Sequence, residues 1–193
     1  MAGILCPVWI GYLLICPARK LFQNPDKILG PYVEEGMKAL DIGCAMGFFS
    51  LPLAQMIGSN GKVICVDVQE KMLKSLEKRA HKAGLADRIE TRVCKQDSLG
   101  LDDITEEIDF ALASAVVHEI SNVSGFFSET YKTIKPAGKF LVFEPKGHVS
   151  KKDFEITVSA AKQNGFQVIE NPKIGRTHAV LLGKRKKFRK MIP

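Results

Sequence analysis

The 193-residue chain predicts an α/β fold: a seven-stranded sheet, mostly parallel, with one antiparallel strand near the C-terminus and helices on both faces. Three observations predict it. Short apolar runs of strand length alternate with segments whose apolar residues return at helical spacing, the mark of repeated strand and helix units. A glycine-rich turn, Gly43-Cys44-Ala45-Met46-Gly47, leads from one such strand directly into a helix. Two closing strands, Phe166 to Ile169 and Ala179 to Leu182, are joined so briefly through Asn171-Pro172 and Gly175 that they should pair antiparallel.

Taken in order, the chain opens on an apolar segment, Gly3 to Pro17, too short for a bilayer span of ~20 residues. No positive region precedes it and Arg19-Lys20 follow it, which argues against a signal peptide. It is expected to pack against the domain. Asn24-Pro25-Asp26 is a helix start with proline in the first turn, and that helix is expected to end near Glu35-Gly36. Ala39, Leu40 and Ile42 suit a buried parallel strand, and Phe48 to Ala54 the helix after the glycine turn. Past the turn cluster Gly58 to Gly61, Lys62 to Asp67 is the second strand. Glu70 to Ala83 is an amphipathic helix with Met72, Leu73, Leu76 and Ala80 on its apolar face, stopped by Gly84. Ile89 to Cys94 and Ile108 to Ser114 are the third and fourth strands, with Asp109 structural. Phe126 to Ile134 is a helix ended by a turn at Lys135-Pro136-Ala137-Gly138, and Lys139 to Glu144 is the fifth strand. Lys152 to Asn164 is the last helix. The organisation is one domain: a cap segment over residues 1–36, a core over 37–183 and a basic tail over 184–193.

Composition is globular, 46% hydrophobic and 25% charged, without repeats or low-complexity tracts. Much of the net charge of +7 sits in the tail, where Lys184 to Lys187, Arg189 and Lys190 are expected to be solvated; the functional alternative is a foothold on RNA or another anionic surface. Cys6, Cys16, Cys44, Cys65 and Cys94 are odd in number, with Cys44 and Cys65 at core positions, which fits free thiols in a reducing cytoplasm. With no C-x-x-C pair, no metal is expected.

The turn indicates a small polar ligand, because glycines admit positive φ and close approach, and free N–H groups at a helix start are donors. A dinucleotide fingerprint, G-x-G-x-x-G, is not met: from Gly43 the chain has Ala45 and then Phe48. Asp41, a carboxylate at the end of a buried strand, needs a donor or a cation. An acid followed by small residues at alternate positions, Asp41, Gly43, Ala45 and Gly47, resembles the first motif of the class I S-adenosylmethionine-dependent methyltransferases, within them the small type 11 group. Ala45 stands where the middle glycine is usual.

That resemblance covers Leu40 to about Lys184 and implies a Rossmann-like core with S-adenosylmethionine as methyl donor. It implies cofactor contacts from Asp41, Gly43, Cys44, Ala45 and Gly47, from Asp67 with Val68 at the ribose, from Asp97 and Ser98 at the adenine, and from Ser114. It places His118 and Glu119 where the chain leaves the fourth strand beside the transferred methyl, His118 as the first candidate base and Glu119 or Glu144 after it. Trp9, Tyr12 and Cys6 in the cap segment and His148 after the fifth strand are candidates for the acceptor pocket. The implied function is methylation of a small molecule, with an RNA methyltransferase or a non-catalytic adenosylmethionine-binding protein as alternatives. Monomer and homodimer both remain open.

Overall fold

The structure is a computed structural model that describes Ile15 and residues 19–184. Seven strands, β1 (Lys38–Ile42), β2 (Lys62–Asp67), β3 (Ile89–Val93), β4 (Ile108–Ser114), β5 (Ile134–Pro145), β6 (Gln167–Glu170) and β7 (Thr177–Gly183), form one sheet in the order β3-β2-β1-β4-β5-β7-β6. All pairings are parallel except the two made by β7, which runs antiparallel to β5 and to β6. Strand order reverses at β1, which pairs with β2 on one side and β4 on the other. In an open α/β sheet the crevice at such a point, outside the carboxyl ends of the strands, is where ligands sit.

The helices are α1 (Arg19–Phe22), α2 (Pro25–Leu29), α3 (Ser50–Met56), α4 (Glu70–Lys82), α5 (Val123–Thr133) and α6 (Lys151–Gln163). They cover both faces of the sheet, so its central strands read as nearly continuous apolar runs. One core joins Leu40, Ile42, Ala111 and Val142 to Phe126 and Phe127 of α5 and Phe154 of α6. The other joins Ala39, Cys65, Leu112 and Phe143 to Leu53 of α3 and Leu73 and Leu76 of α4. Each large side chain fully buried in these layers contributes ~1.5–3 kcal/mol. The apolar face expected of α4 is the buried one: Met72, Leu73, Leu76 and Ala80. Asp109 is structural, accepting the Lys38 N–H at 2.9 Å and the Lys135 ammonium at 2.7 Å.

Three expectations are corrected. The helix after Asn24 ends at Leu29 instead of continuing to Gly36, because Pro31 has no N–H to extend the ladder. Residues 135–138 do not separate a helix from a strand: they are a bulged part of β5, whose partner on β4 moves from Ile108 to Phe110 while β5 advances from Ile134 to Lys139. Lys184 draws that backbone into the sheet, accepting from Ala137 N–H at 2.9 Å and donating to Gly138 O at 3.1 Å. Lys184 itself is not part of a solvated tail. It is buried, with its ammonium on the carbonyls of Tyr131 and Ile134 at 2.8 Å and 3.2 Å from Glu106. The expectation of a solvated tail for residues 185–193, and those for Trp9, Tyr12 and Cys6, fall outside the described residues.

Candidate functional site

At the reversal point a cavity of about 620 Å³ opens over the carboxyl ends of β1, β2 and β4. That volume suits a ligand of cofactor size. Asp41 and Ser114 come from the strands themselves and Asp67 closes β2. The segments after β1, β2, β3, β4 and β5 supply most of the remaining wall, with Ile15, Arg19 and Gln23 on the side of the chain's N-terminal segment.

The glycine turn is held from below by Val66, whose carbonyl accepts from the N–H groups of Gly43 at 2.9 Å and Cys44 at 3.2 Å. Its alternate residues all lie in the left-handed region, with φ of 69° at Gly43, 46° at Ala45 and 81° at Gly47. A Cβ at Gly43 would stand 2.6 Å from Val116 Cγ2, so only glycine lets the turn close against the loop after β4. Ala45 accepts the same conformation with a methyl group, and such strain at a non-glycine residue persists where surrounding bonds impose it. Here the Ala45 N–H donates to Asp67 Oδ2 at 2.9 Å, and the Arg79 guanidinium donates to Met46 O.

Asp41 is 2% exposed. Ser50, at the start of α3, donates its hydroxyl to Asp41 Oδ2 at 2.6 Å. Burial pushes this carboxyl up to about 7; the Ser50 hydrogen bond and Arg19 oppose the rise, and Asp67 adds to it. The Arg19 guanidinium, 4.2 Å from the Phe48 ring centroid, is pushed down to about 10 by burial. Asp67 accepts from Gln69 N–H at 2.8 Å through its other oxygen, and its carboxyl is raised by burial against the pull of these backbone donors. Val68 lines the cavity beside it.

Asp97 and Ser98 line the far wall. Their loop is fixed from α5 by Glu129, which accepts from the Ser98 hydroxyl at 3.2 Å and the Leu99 N–H at 2.8 Å. Ser114 has a buried hydroxyl oxygen with no partner among the described residues. A hydroxyl placed so at a cavity wall is satisfied by an ordered water or by a polar group of a ligand.

The opposite end of the cavity holds two histidines. After Ala115, at φ 55°, the chain makes a single 3-10 turn, Val117–Glu119, stapled to β5 by Glu144. Glu144 is 1% exposed; one oxygen accepts the Val117 N–H at 2.7 Å and the other meets His118 Nδ1 at 2.7 Å. A carboxylate accepts, so Nδ1 carries the hydrogen and Nε2 is left free to act. The bond to Glu144 raises the His118 pKa, with burial working against it. Glu144, expected from the sequence at the ligand edge as a further candidate base, is thus buried behind His118 and is not among the described residues that line the cavity. His148 stands edge-on to His118, ring centroids 5.9 Å apart, and the half-buried Glu119 carboxyl is raised by desolvation.

The structure thus gathers Asp41, Gly43, Cys44, Ala45, Asp67, Val68, Asp97, Ser98, Ser114, His118, Glu119 and His148 around one cavity, with Gly47 shaping the turn behind. Sequence reasoning missed Ser50, Arg19 and Glu129. Ser50, a lone hydroxyl amid the apolar start of a helix, and Glu129, the single acid of α5, carry a faint signal; Arg19 carries none.

The residues present fit S-adenosylmethionine: carboxylates Asp41, Asp67 and Asp97 for its ammonium, ribose hydroxyls and adenine amine, Arg19 for its carboxylate, and the Ser114 hydroxyl in want of a partner. Among the described residues no group of three or more His, Cys, Asp or Glu side chains is arranged to hold a metal ion. No helix of the described residues is long and apolar enough to cross a membrane.

A family model for a methyltransferase domain matches residues 33–187. The ubiquinone/menaquinone biosynthesis C-methyltransferase UbiE of Cronobacter sakazakii is 24% identical over 143 residues, covering 74% of this chain and 54% of that protein. The mitochondrial ubiquinone biosynthesis O-methyltransferase of Rattus norvegicus is 32% identical over 108 residues, covering 55% of this chain and 30% of that one. The chain spans about half the length of the curated relatives it matches, or less. Among solved structures, a SAM-dependent methyltransferase from Aquifex aeolicus shares the fold with a TM-score of 0.80 at 24% identity, covering 92% of this chain and 98% of that one.

Proposed function

The chain belongs to the methyltransferase-domain family, and from that premise we propose that it transfers the methyl group of S-adenosylmethionine to a small-molecule acceptor. One observation carries this: an acid-lined, turn-bounded half and a supported histidine, His118 on Glu144, share a single cavity. The cofactor, when bound, supplies an electrophilic methyl on sulfur. Asp41 with Ser50, Asp67 and Asp97 hold and orient it, and the Ser114 hydroxyl gains its missing partner. His118 Nε2 takes the proton that an acceptor hydroxyl or ring carbon gives up, while Glu144 fixes the ring and stabilises the imidazolium that results. Val116, Ile120 and Phe143 form an apolar wall that keeps water from the reacting groups.

The similar proteins are named for C- and O-methylation in quinone biosynthesis, which favours an apolar ring as the acceptor here. The free thiols of Cys44, Cys65 and Cys94 support work in a reducing compartment, the cytoplasm. A screen of small-molecule acceptors with methyl-labelled S-adenosylmethionine tests the proposal. Label is expected in an apolar ring compound, with transfer falling at least tenfold in His118→Ala; cofactor binding without transfer to any acceptor would turn the account towards a binding protein.

A further inference from the structure

A second cavity, of about 660 Å³, lies between α6 and the connection from β6 to β7. Phe154, Val158 and Ile174 give it an apolar floor, and Phe154 is braced by stacking on the His178 ring at 5.5 Å and 25°. Its rim carries Lys146, Lys151, Lys162 and Lys173 against one carboxylate, Glu155. Glu155 pairs only loosely, 3.8 Å from Lys151, both side chains exposed. Lys146, Lys162 and Lys173 stand in no ion pair among the described residues. An apolar trough edged by unneutralised ammonium groups is complementary to an apolar chain or ring that ends in an anion.

The trough adjoins the methyl-transfer site. Thr177 lines both cavities, and the turn after β5 crosses between them: Pro145 and His148 face the first, Lys146 the second. The two cavities therefore neighbour each other at Thr177, on the side where Pro145 and His148 line the first and Lys146 the second. We propose that this trough is the distal subsite of the acceptor, and that the acceptor is an apolar molecule bearing an anionic group, a phosphate or a carboxylate, at the end remote from the methylated atom. The inference rests on the methyltransferase reading above and narrows its substrate class.

The test titrates the full chain with octyl phosphate, octanoate and octanol, following backbone amide resonances, at low and high salt. At least one of the two anions is expected to bind about tenfold or more tightly than octanol, one charge-assisted hydrogen bond's worth, with shifts at Lys146, Lys173 and Thr177 and an affinity that falls with salt. Which anion wins assigns the end group. In Lys146→Gln/Lys173→Gln the anion should lose that advantage while octanol and S-adenosylhomocysteine bind as before, the latter showing that the variant is folded. Octanol binding as tightly as both anions, shifts confined to other surfaces, or an unaffected double variant overturns the subsite. So does engagement of these lysines by short RNA or anionic vesicles when neither octyl anion binds. If S-adenosylhomocysteine fails to bind the wild type, the methyltransferase reading falls and takes this inference with it; if it binds and the anions do not, the subsite alone falls.

Discussion

Replacing Asp41 with asparagine separates the charge of this carboxyl from its shape, and the consequence can be worked from its surroundings. Burial holds the group near 7, with Asp67 pushing it up and Ser50 and Arg19 pulling it down. A cationic ammonium binds the ionised form. With a pKa of about 7, roughly one Asp41 in eleven is ionised at pH 6 and ten in eleven at pH 8, so S-adenosylhomocysteine should bind about tenfold more tightly at the higher pH. The raised pKa also makes the folded protein less stable as pH rises from the ordinary carboxylate range through about 7, a loss that the bound ammonium offsets. Asp41→Asn removes the charged acceptor, which is worth about 1.5–3 kcal/mol, or some ten- to a hundredfold in affinity, and it flattens the pH dependence. The assay is calorimetry at several pH values in two buffers of different ionisation enthalpy, which counts the protons released on binding. Wild type with flat affinity and no proton release near pH 6.5, or Asp41→Asn with the wild-type slope, would show that Asp41 does not bind the ammonium as a titrating carboxylate.

Three further outcomes are expected. Ser114→Ala should weaken S-adenosylhomocysteine binding while leaving thermal stability unchanged or higher by up to ~1 kcal/mol, since it removes a buried hydroxyl without a partner; a loss of stability with unchanged affinity would make Ser114 structural. Asp67→Ala should cost more than about tenfold in cofactor affinity in a chain that circular dichroism shows to be folded, because ligand and the Ala45 turn lose the same acceptor. Glu144→Gln should move the acidic limb of the rate profile to lower pH, since the bond to Glu144 is what holds the His118 pKa up and the base works only when deprotonated; an unmoved limb would show that His118 is not the titrating group.

The parts of this fold legible in the sequence are those where one segment decides its own structure. Within Lys62–Asp67 the residues Val63 to Val66 are all apolar and all buried, so this strand is recognisable without its partners. Asp41 and Asp67 stood out because a carboxylate closing a buried strand is costly wherever the chain goes next. What escaped depends on contacts between distant segments. Pro136 and Gly138 spell a turn locally, yet the chain is held in β5 by Lys184, nearly fifty residues on. Glu144 looks like one more polar residue at the ligand edge; only the crossing of β5 beneath the Val117–Glu119 turn makes it a buried support. Arg19, from before β1, lines the same cavity as Asp41 and its charge acts on that carboxyl, a relation no local pattern encodes.

In the proposed function one cavity, at the reversal point of the sheet, holds the methyl donor. The most direct test of that placement is a titration of the isotopically labelled chain with S-adenosylhomocysteine, read residue by residue in amide spectra. Saturable shifts are expected at Gly43, Ala45, Asp67, Ser98 and Ser114, at the carboxyl ends of β1, β2 and β4 and in the loop after β3. Spectra that ignore S-adenosylhomocysteine, or that respond at these residues to NAD instead, would contradict it.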